Sequence, residues 1–241
     1  MLYLTCEVFM RRFFGKKDNN NIILEESESY HLQKVLRMKE GERLIACVND
    51  DYDYYCTIKE INKHNVLLEI ESKEPCKALP KRNIVLFQMI PKKEYFDQIL
   101  PKAIELGVSQ IHFFTSANTQ TKGLKQERVN SQVMTACKQC ERSKLIDVDL
   151  IDFKQTLKTL KEFDVIIFAN EHDTSNNFDI NFVKNKQNIA VIIGNEGGFT
   201  VDEASQIIMA GGKSFSLGSR ILRCDTAVVS TLTLVGIFSE N

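Results

Sequence analysis

The first third of the chain sets its apolar side chains in short runs, at 22–24, 43–48, 54–60 and 66–70. Each run is rich in β-branched or aromatic residues and is broken by Asn, Asp, Gly or Lys, the pattern of strands joined by turns. Only 29–38 differs, with Leu32, Val35 and Leu36 recurring at helical spacing. So many short strands need closure to remove their edges, and we expect a compact barrel with one inserted helix. Residues 72–82 carry two prolines and four basic residues without periodicity and mark a boundary. The expected domains are therefore 1–74 and 75–241.

Beyond the boundary the period switches. Strand-like runs at 84–89, 111–114, near Val148, at 165–169 and at 189–193 alternate with helical stretches at 94–106, 126–142 and 153–160. Such alternation predicts a parallel sheet with helices on both faces. The helix at 94–106 places Phe96, Ile99, Leu100, Ala103 and Ile104 on one stripe. Pro101 lies inside it and is expected to remove one backbone bond and kink it.

Three strand ends carry candidate chemistry. The run 188–193 stops at Gly194-Asn195-Glu196-Gly197-Gly198, where three glycines in five residues permit positive φ and close approach of another molecule. Thr200 and Glu203 then predict a capping box that opens a helix, ended by Gly211-Gly212. A second apolar run, 214–217, meets Gly218-Ser219-Arg220, and Ile221-Leu222-Arg223 leads into a last helix, 226–238, opened by Asp225 and Thr226. The third strand end is Phe168-Ala-Asn-Glu171-His. Loops at the carboxyl edge of one parallel sheet form a ligand pocket. The chain has no GxxxxGK[ST], and Glu196 puts a carboxylate where a phosphate would sit, which disfavours a nucleoside triphosphate.

Composition changes the picture only locally. Formal net charge is -1, so binding of nucleic acid has to rest on clusters such as Arg11, Arg12, Lys16 and Lys17, or Lys34, Arg37 and Lys39. Arg37 closes the 29–38 helix, where a cation also steadies the last carbonyls. Seven irregularly spaced cysteines suggest reduced thiols and a cytoplasmic protein. Cys137 and Cys140 have CxxC spacing without a second pair, and the four histidines are scattered, so no metal is expected.

Through Gly194, Glu196-Gly197-Gly198-Phe199 and Leu217-Gly218-Ser219-Arg220-Ile221-Leu222-Arg223 with Thr226-Ala227, the chain resembles the SPOUT superfamily of S-adenosylmethionine methyltransferases. Within it the match is to the RsmE-type 16S ribosomal RNA uridine-N3 methyltransferases, whose pattern reads G-P-E-G-G-F and L-G-x-R-I-L-R-x-E-T-A. Met10-Arg-Arg-Phe-Phe and His31 to Gly41-Glu42 resemble the PUA-like domain that opens those enzymes, and Lys102-Ala-x-Glu105-Leu-Gly-Val108 matches a further element. The resemblance implies an α/β protein, a PUA-like β-barrel over 1–74 followed by a SPOUT domain with a C-terminal trefoil knot over 75–241.

The resemblance also implies roles. Glu171, Gly194, Glu196, Gly198, Leu217, Gly218, Ser219, Ile221 and Leu222 would hold S-adenosylmethionine. The chemistry of N3 methylation then calls for Arg223, in preference to Arg220, to stabilise the negative uracil oxygens, and for Glu196 or Asp225 to take the proton or orient the base. The simpler roles are a helix cap for Asp225 and loop support for Glu196. Arg11, Arg12, Arg37, Arg142 and Arg220 would contact 16S RNA, in an assembled small subunit and from a homodimer. Four departures stand out. Asn195 replaces a proline and is expected to loosen its loop; Asp225 replaces a glutamate; Ala117-Asn118-Thr119 replaces Glu-Arg-Ser; and Lys138 replaces the glutamate before Gln139. Lys122 and Lys138 are then expected to take phosphate work. Residues 1–9 precede the usual family start. The competing reading is an RNA-binding ribosome-assembly factor with a degenerate pocket.

Overall fold

A computed structural model describes residues 10–119, 123–173 and 177–240, with side chains in the last helix up to Ile237. Residues 1–9, Lys122 and the Phe238 side chain lie outside the described residues. The chain divides into two compact units: residues up to Leu79 with Cys137–Leu145, and Pro80–Ala136 with Ile146 onward.

The first unit contains β1 (Arg12–Phe14), β2 (Lys16–Asp18), β3 (Asn21–Glu25), α1 (Glu26–Tyr30), β4 (Arg43–Cys47), β5 (Tyr52–Ile61) and β6 (Asn65–Pro75). Their order in the sheet is β1-β4-β5-β6-β3-β2. The two edge strands are separated in sequence by Gly15 alone, so the sheet must curl until its edges meet. A Cβ on Gly15 would lie 2.6 Å from Ile22 Cγ2 and 2.8 Å from the Ile23 carbonyl, so glycine is what lets the corner close. Alternate residues of the strands, among them Phe13, Ile22, Leu24, Leu44, Ile58 and Leu68, fill the interior together with Leu32.

The helix expected at 29–38 starts earlier and changes pitch: α1 passes into a π-helical turn, His31–Val35, and Arg37 follows with φ 54°. The turn is closed by the Met38 N–H, which donates to the Leu32 carbonyl at 3.2 Å.

The second unit is one parallel sheet of β7 (Asn83–Met89), β8 (Gln110–Thr115), β9 (Asp147–Asp152), β10 (Val165–Ala169), β11 (Asn188–Ile193) and β12 (Gly212–Phe215), in the order β12-β10-β11-β7-β8-β9. Between them run α2 (Lys93–Glu105), α3 (Gln126–Gln139), α4 (Phe153–Thr159) and α5 (Val201–Met209), and α6 (Cys224–Glu240) ends the chain. The α2 helix runs unbroken through Pro101. Phe87, Phe168, Ile192 and Ile207 are fully buried in its core, as continuous apolar strands of a parallel sheet require. Strand β11 sits between β7 and β10, so the loops after β7, β10, β11 and β12 open on one edge where the strand order reverses.

Candidate active site

The loop after β11 is shaped by its own residues. Gly198 has φ 61°, a left-handed value that glycine adopts without steric cost, and its N–H donates to the Asn195 carbonyl at 3.1 Å. The Asn195 side chain accepts from the Gly197 N–H at 2.9 Å and donates to the carbonyls of Ile90 and Asn118 at 3.3 and 3.1 Å. The expectation that Asn195 loosens this loop is corrected here: its amide ties the loop to the ends of β7 and β8. Gln88, buried in β7, adds a bond from Nε2 to the Gly194 carbonyl at 3.0 Å. Thr200 and Glu203 form the expected capping box, and the Glu203 carboxylate also accepts from the Ala117 N–H at 3.0 Å. Burial works to raise the Glu203 carboxyl, but the Ala117 and Thr200 N–H groups and the nearby hydroxyls outweigh it and hold it below its ordinary value.

The loops after β10 and β12 reach the same place. A Cβ on Gly198 would lie 3.0 Å from Glu171 Oε1, which measures how closely the β10 end approaches the glycine loop. Asn170 joins β10 to β12, donating from Nδ2 to Ser214 Oγ at 3.3 Å and from its backbone to the Phe215 carbonyl at 3.0 Å. Gly218 has φ 109°, and Ser216 Oγ both accepts from its N–H and donates to its carbonyl. The loops enclose a cavity of about 310 Å³.

Of the expected donor-binding residues, Glu171, Gly194, Glu196, Gly198, Leu217, Gly218, Ile221 and Leu222 line this cavity, with Arg220 and Arg223; Ser219 does not. A smaller cavity of about 160 Å³ adjoins it and shares Asn195 and Glu196, its other walls being Ile90, Pro91, Lys92, Asn118 and Gly197. Glu196 Oε1 accepts from the Lys92 N–H at 3.2 Å and lies 3.9 Å from Cys224 Sγ. Burial first, and the Glu196 charge second, push the Cys224 thiol up to about 12.

Asp225 is not on the cavity wall. The Arg223 carbonyl accepts from the Ala227 N–H at 2.9 Å, so Arg223 occupies the cap position expected for Asp225, which falls inside the first turn of α6. Its carboxylate receives Lys102 Nζ at 3.4 Å. An acid in the first turn is still favoured by the helix dipole, which is why the sequence signal was ambiguous.

Two of the expected RNA contacts are corrected by burial. The Arg12 side chain is only 7% exposed and is paired with Asp53 inside the first unit. Burial opposes its charge, but Asp53 raises the guanidinium above its ordinary value. Arg142 is 4% exposed, and burial lowers its guanidinium. Lys138 donates to Glu28 at 2.7 Å, which takes it from phosphate work. Arg11 and Arg37 are exposed. Sequence reasoning missed Tyr95 and Asn170 on the large cavity and Asn118 on the small one. The available signal for Tyr95 was its place in the first turn of α2, the helix that follows β7.

Among the described residues no group of three metal-ligating side chains exists, no cysteine is in a disulfide, and no helix is long and apolar enough to cross a membrane.

Both units are matched by family models of RNA methyltransferases. The family described as RNA methyltransferase domain matches residues 77–236, and that described as RNA methyltransferase PUA domain matches residues 24–71. Ribosomal RNA small subunit methyltransferase E of Buchnera aphidicola subsp. Schizaphis graminum is 32% identical over 91% of this chain and 91% of its own. The protein of that name from Mesomycoplasma hyopneumoniae is also 32% identical, over 93% of this chain and 98% of its own. The crystal structure of the Neisseria gonorrhoeae protein of that name, bound to S-adenosyl methionine, superposes with a TM-score of 0.81 at 25% identity, covering 93% of this chain and 95% of its own. The chain belongs to this family, the ribosomal RNA small subunit methyltransferase E proteins.

Proposed function

We propose that the protein transfers a methyl group from S-adenosylmethionine to N3 of a uridine in 16S ribosomal RNA. The observation that carries this is the convergence of the 194–198 and 217–222 turns on one cavity with Glu171, Glu196, Arg220 and Arg223 on its wall. That wall fits the donor. Ile193, Leu217 and Leu222 are apolar enough for a base, glycine backbone allows close approach, and side chains of both signs suit a cationic sulfonium with an amino-acid tail.

Bound there, S-adenosylmethionine supplies an electrophilic methyl group. The protein's own contribution is to orient the uracil and manage charge. The base enters the smaller cavity, whose wall includes Glu196. The Glu196 carboxylate takes the N3 proton, leaving the electron pair on nitrogen for the new bond to the methyl carbon, whose bond to sulfur breaks with its electrons passing to sulfur. Arg223 stabilises the negative charge that spreads onto the uracil oxygens, with Arg220 beside it. Gly194, Gly198, Leu217, Gly218, Ile221 and Leu222, with Ser219 in the same turn and Glu171 opposite, hold the donor.

The first unit, expected over 1–74, presents RNA through Arg11 and Arg37, while 75–241 carries catalysis. Insertion of β11 between β7 and β10, with α6 following the 216–223 turn, supports the trefoil-knot reading. Exposed Ile237 on α6, 53% accessible, and Ile221, 86% accessible, support a homodimer that covers them. The assembled small subunit in its decoding region is the proposed substrate, in the cytoplasm. The test is twofold: calorimetric titration with S-adenosylmethionine, and mapping of N3-methyluridine in ribosomal RNA from cells with and without the protein. Absence of heat would favour an assembly factor with an unused pocket, and an unchanged map would remove the uridine assignment.

A further inference from the structure

Two of the positions where this chain departs from the family pattern, 118 and 195, are hydrogen-bonded to each other's loops. Asn118 Nδ2 donates to the carbonyls of Gly197 and Gly198 at 3.0 and 3.1 Å, while Asn195 Nδ2 donates back to the Asn118 carbonyl at 3.1 Å. Asn195 Nδ2 also reaches the Ile90 carbonyl at 3.3 Å, and its Oδ1 receives the Gly197 N–H at 2.9 Å. The fit leaves no slack, since a Cβ on Gly197 would lie 3.0 Å from the Asn118 Cβ. The bonds therefore fix both neighbours of Glu196, residues 195 and 197, against the ends of β7 and β8. The Glu196 carboxylate, exposed in a loop, then has a defined resting place, with the Lys92 N–H on Oε1 at 3.2 Å.

We infer that Asn118 and Asn195 are positioning residues, a reciprocal amide clamp that holds the Glu196 carboxylate at the wall shared by the two cavities. Neither amide needs to touch the reacting atoms. Asn118 comes from the β8 end, lines only the smaller cavity, and acts through the Gly197-Gly198 backbone. A carboxylate that must meet an imide proton gains from such a hold, because misplacing a reacting group by about 1 Å costs on the order of a hundredfold in rate. The inference rests on the reading above that Glu196 takes the proton.

The experiment compares Asn118→Ala, Asn118→Asp, Asn195→Ala, the Asn118→Ala/Asn195→Ala double variant and Glu196→Gln in the full-length protein. Asn118→Asp is isosteric but cannot donate, so it separates loss of the clamp from loss of folding. Each Asn variant should lower kcat by about 10- to 100-fold, with the RNA KM changed by less than about threefold. The double variant should be no slower than the slower single, because the residues act as one unit. Hydrogen exchange of the Lys92 amide should quicken in Asn118→Asp, since the group that protects it is the Glu196 carboxylate and not Asn118 itself. S-adenosylmethionine affinity of Asn118→Asp should stay within about threefold, as Asn118 is off the donor cavity. Wild-type kcat and unchanged Lys92 exchange in Asn118→Asp would overturn the clamp. Full transfer by Glu196→Gln, with Lys92 exchange still quickened in Asn118→Asp, would instead overturn the proton-acceptor role and leave the clamp standing.

Discussion

The Lys102 ammonium donates to Asp225 Oδ2 at 3.4 Å, joining α2 to the first turn of α6. Lys102 is 40% exposed and Asp225 is 14% exposed, so the pair is well solvated on one side and its contribution is small. Asp225→Asn should lower stability by about 0–1 kcal/mol. It should leave methyl transfer within a few-fold of wild type. Thermal melting and single-turnover transfer check both halves, and loss of transfer in a well-folded Asp225→Asn would restore Asp225 as a candidate base.

Arg223 supplies a structural carbonyl, and its side chain is the one proposed to stabilise the uracil anion. Its C=O accepts the first bond of α6, which any residue can supply, and the residue also lines the cavity. Arg223→Ala should therefore keep the helix and donor affinity while transfer falls by roughly 100- to 1000-fold, the usual effect of removing one stabiliser of developing negative charge. Calorimetry and a radiolabelled transfer assay separate the two effects. Equal losses of donor binding and of transfer would assign Arg223 to the donor instead.

At Gly198 the backbone, more than the neighbour, forbids a side chain. Its φ of 61° costs an L-residue about 1–2 kcal/mol, while the contact with Glu171 Oε1 involves the end of an exposed, flexible side chain. Gly198→Ala should lower the melting temperature and weaken donor binding, and adding Glu171→Ala should not recover stability. Recovery would mean that crowding, rather than φ, is the obstacle.

Glu203 makes stability depend on pH in a definite direction. Its folded carboxyl is held below the unfolded value of about 4.3, so the unfolded chain binds the proton more readily. The contribution is fully present above that value and is lost as pH falls through the folded one. Denaturant unfolding from pH 6 down to pH 3 should show a decline that Glu203→Gln reduces. Identical pH profiles for the two proteins would mean that the bonds from Ala117 and Thr200 do not discriminate charge.

The parts of the site visible in the sequence were those set by local backbone chemistry. Glycines at 194–198 and 218 announced turns, Thr200 with Glu203 announced a capped helix, and the alternation of periods announced a parallel sheet. What escaped notice depended on partners distant in the chain. Arg11 and Arg12 form one basic cluster on paper, but adjacent residues at a strand point to opposite sides, so one meets solvent and the other meets Asp53. The holding role of Asn195 was hidden because its two side-chain partners outside residue 197 are at positions 90 and 118. Strands β1 and β2 were hidden by their length of three residues each and by the lysines of the second.

The place of β11 in the sheet also bears on how the protein is made. Asn83 at the start of β7 bonds Asn188 at the start of β11, 105 residues later, and β11 must enter between two strands that leave the ribosome before it. A nascent chain halted before residue 188 would carry two naked strand edges, a state prone to mispairing. Completion of the parallel sheet thus waits on a long-range closure, the slow kind of step in folding.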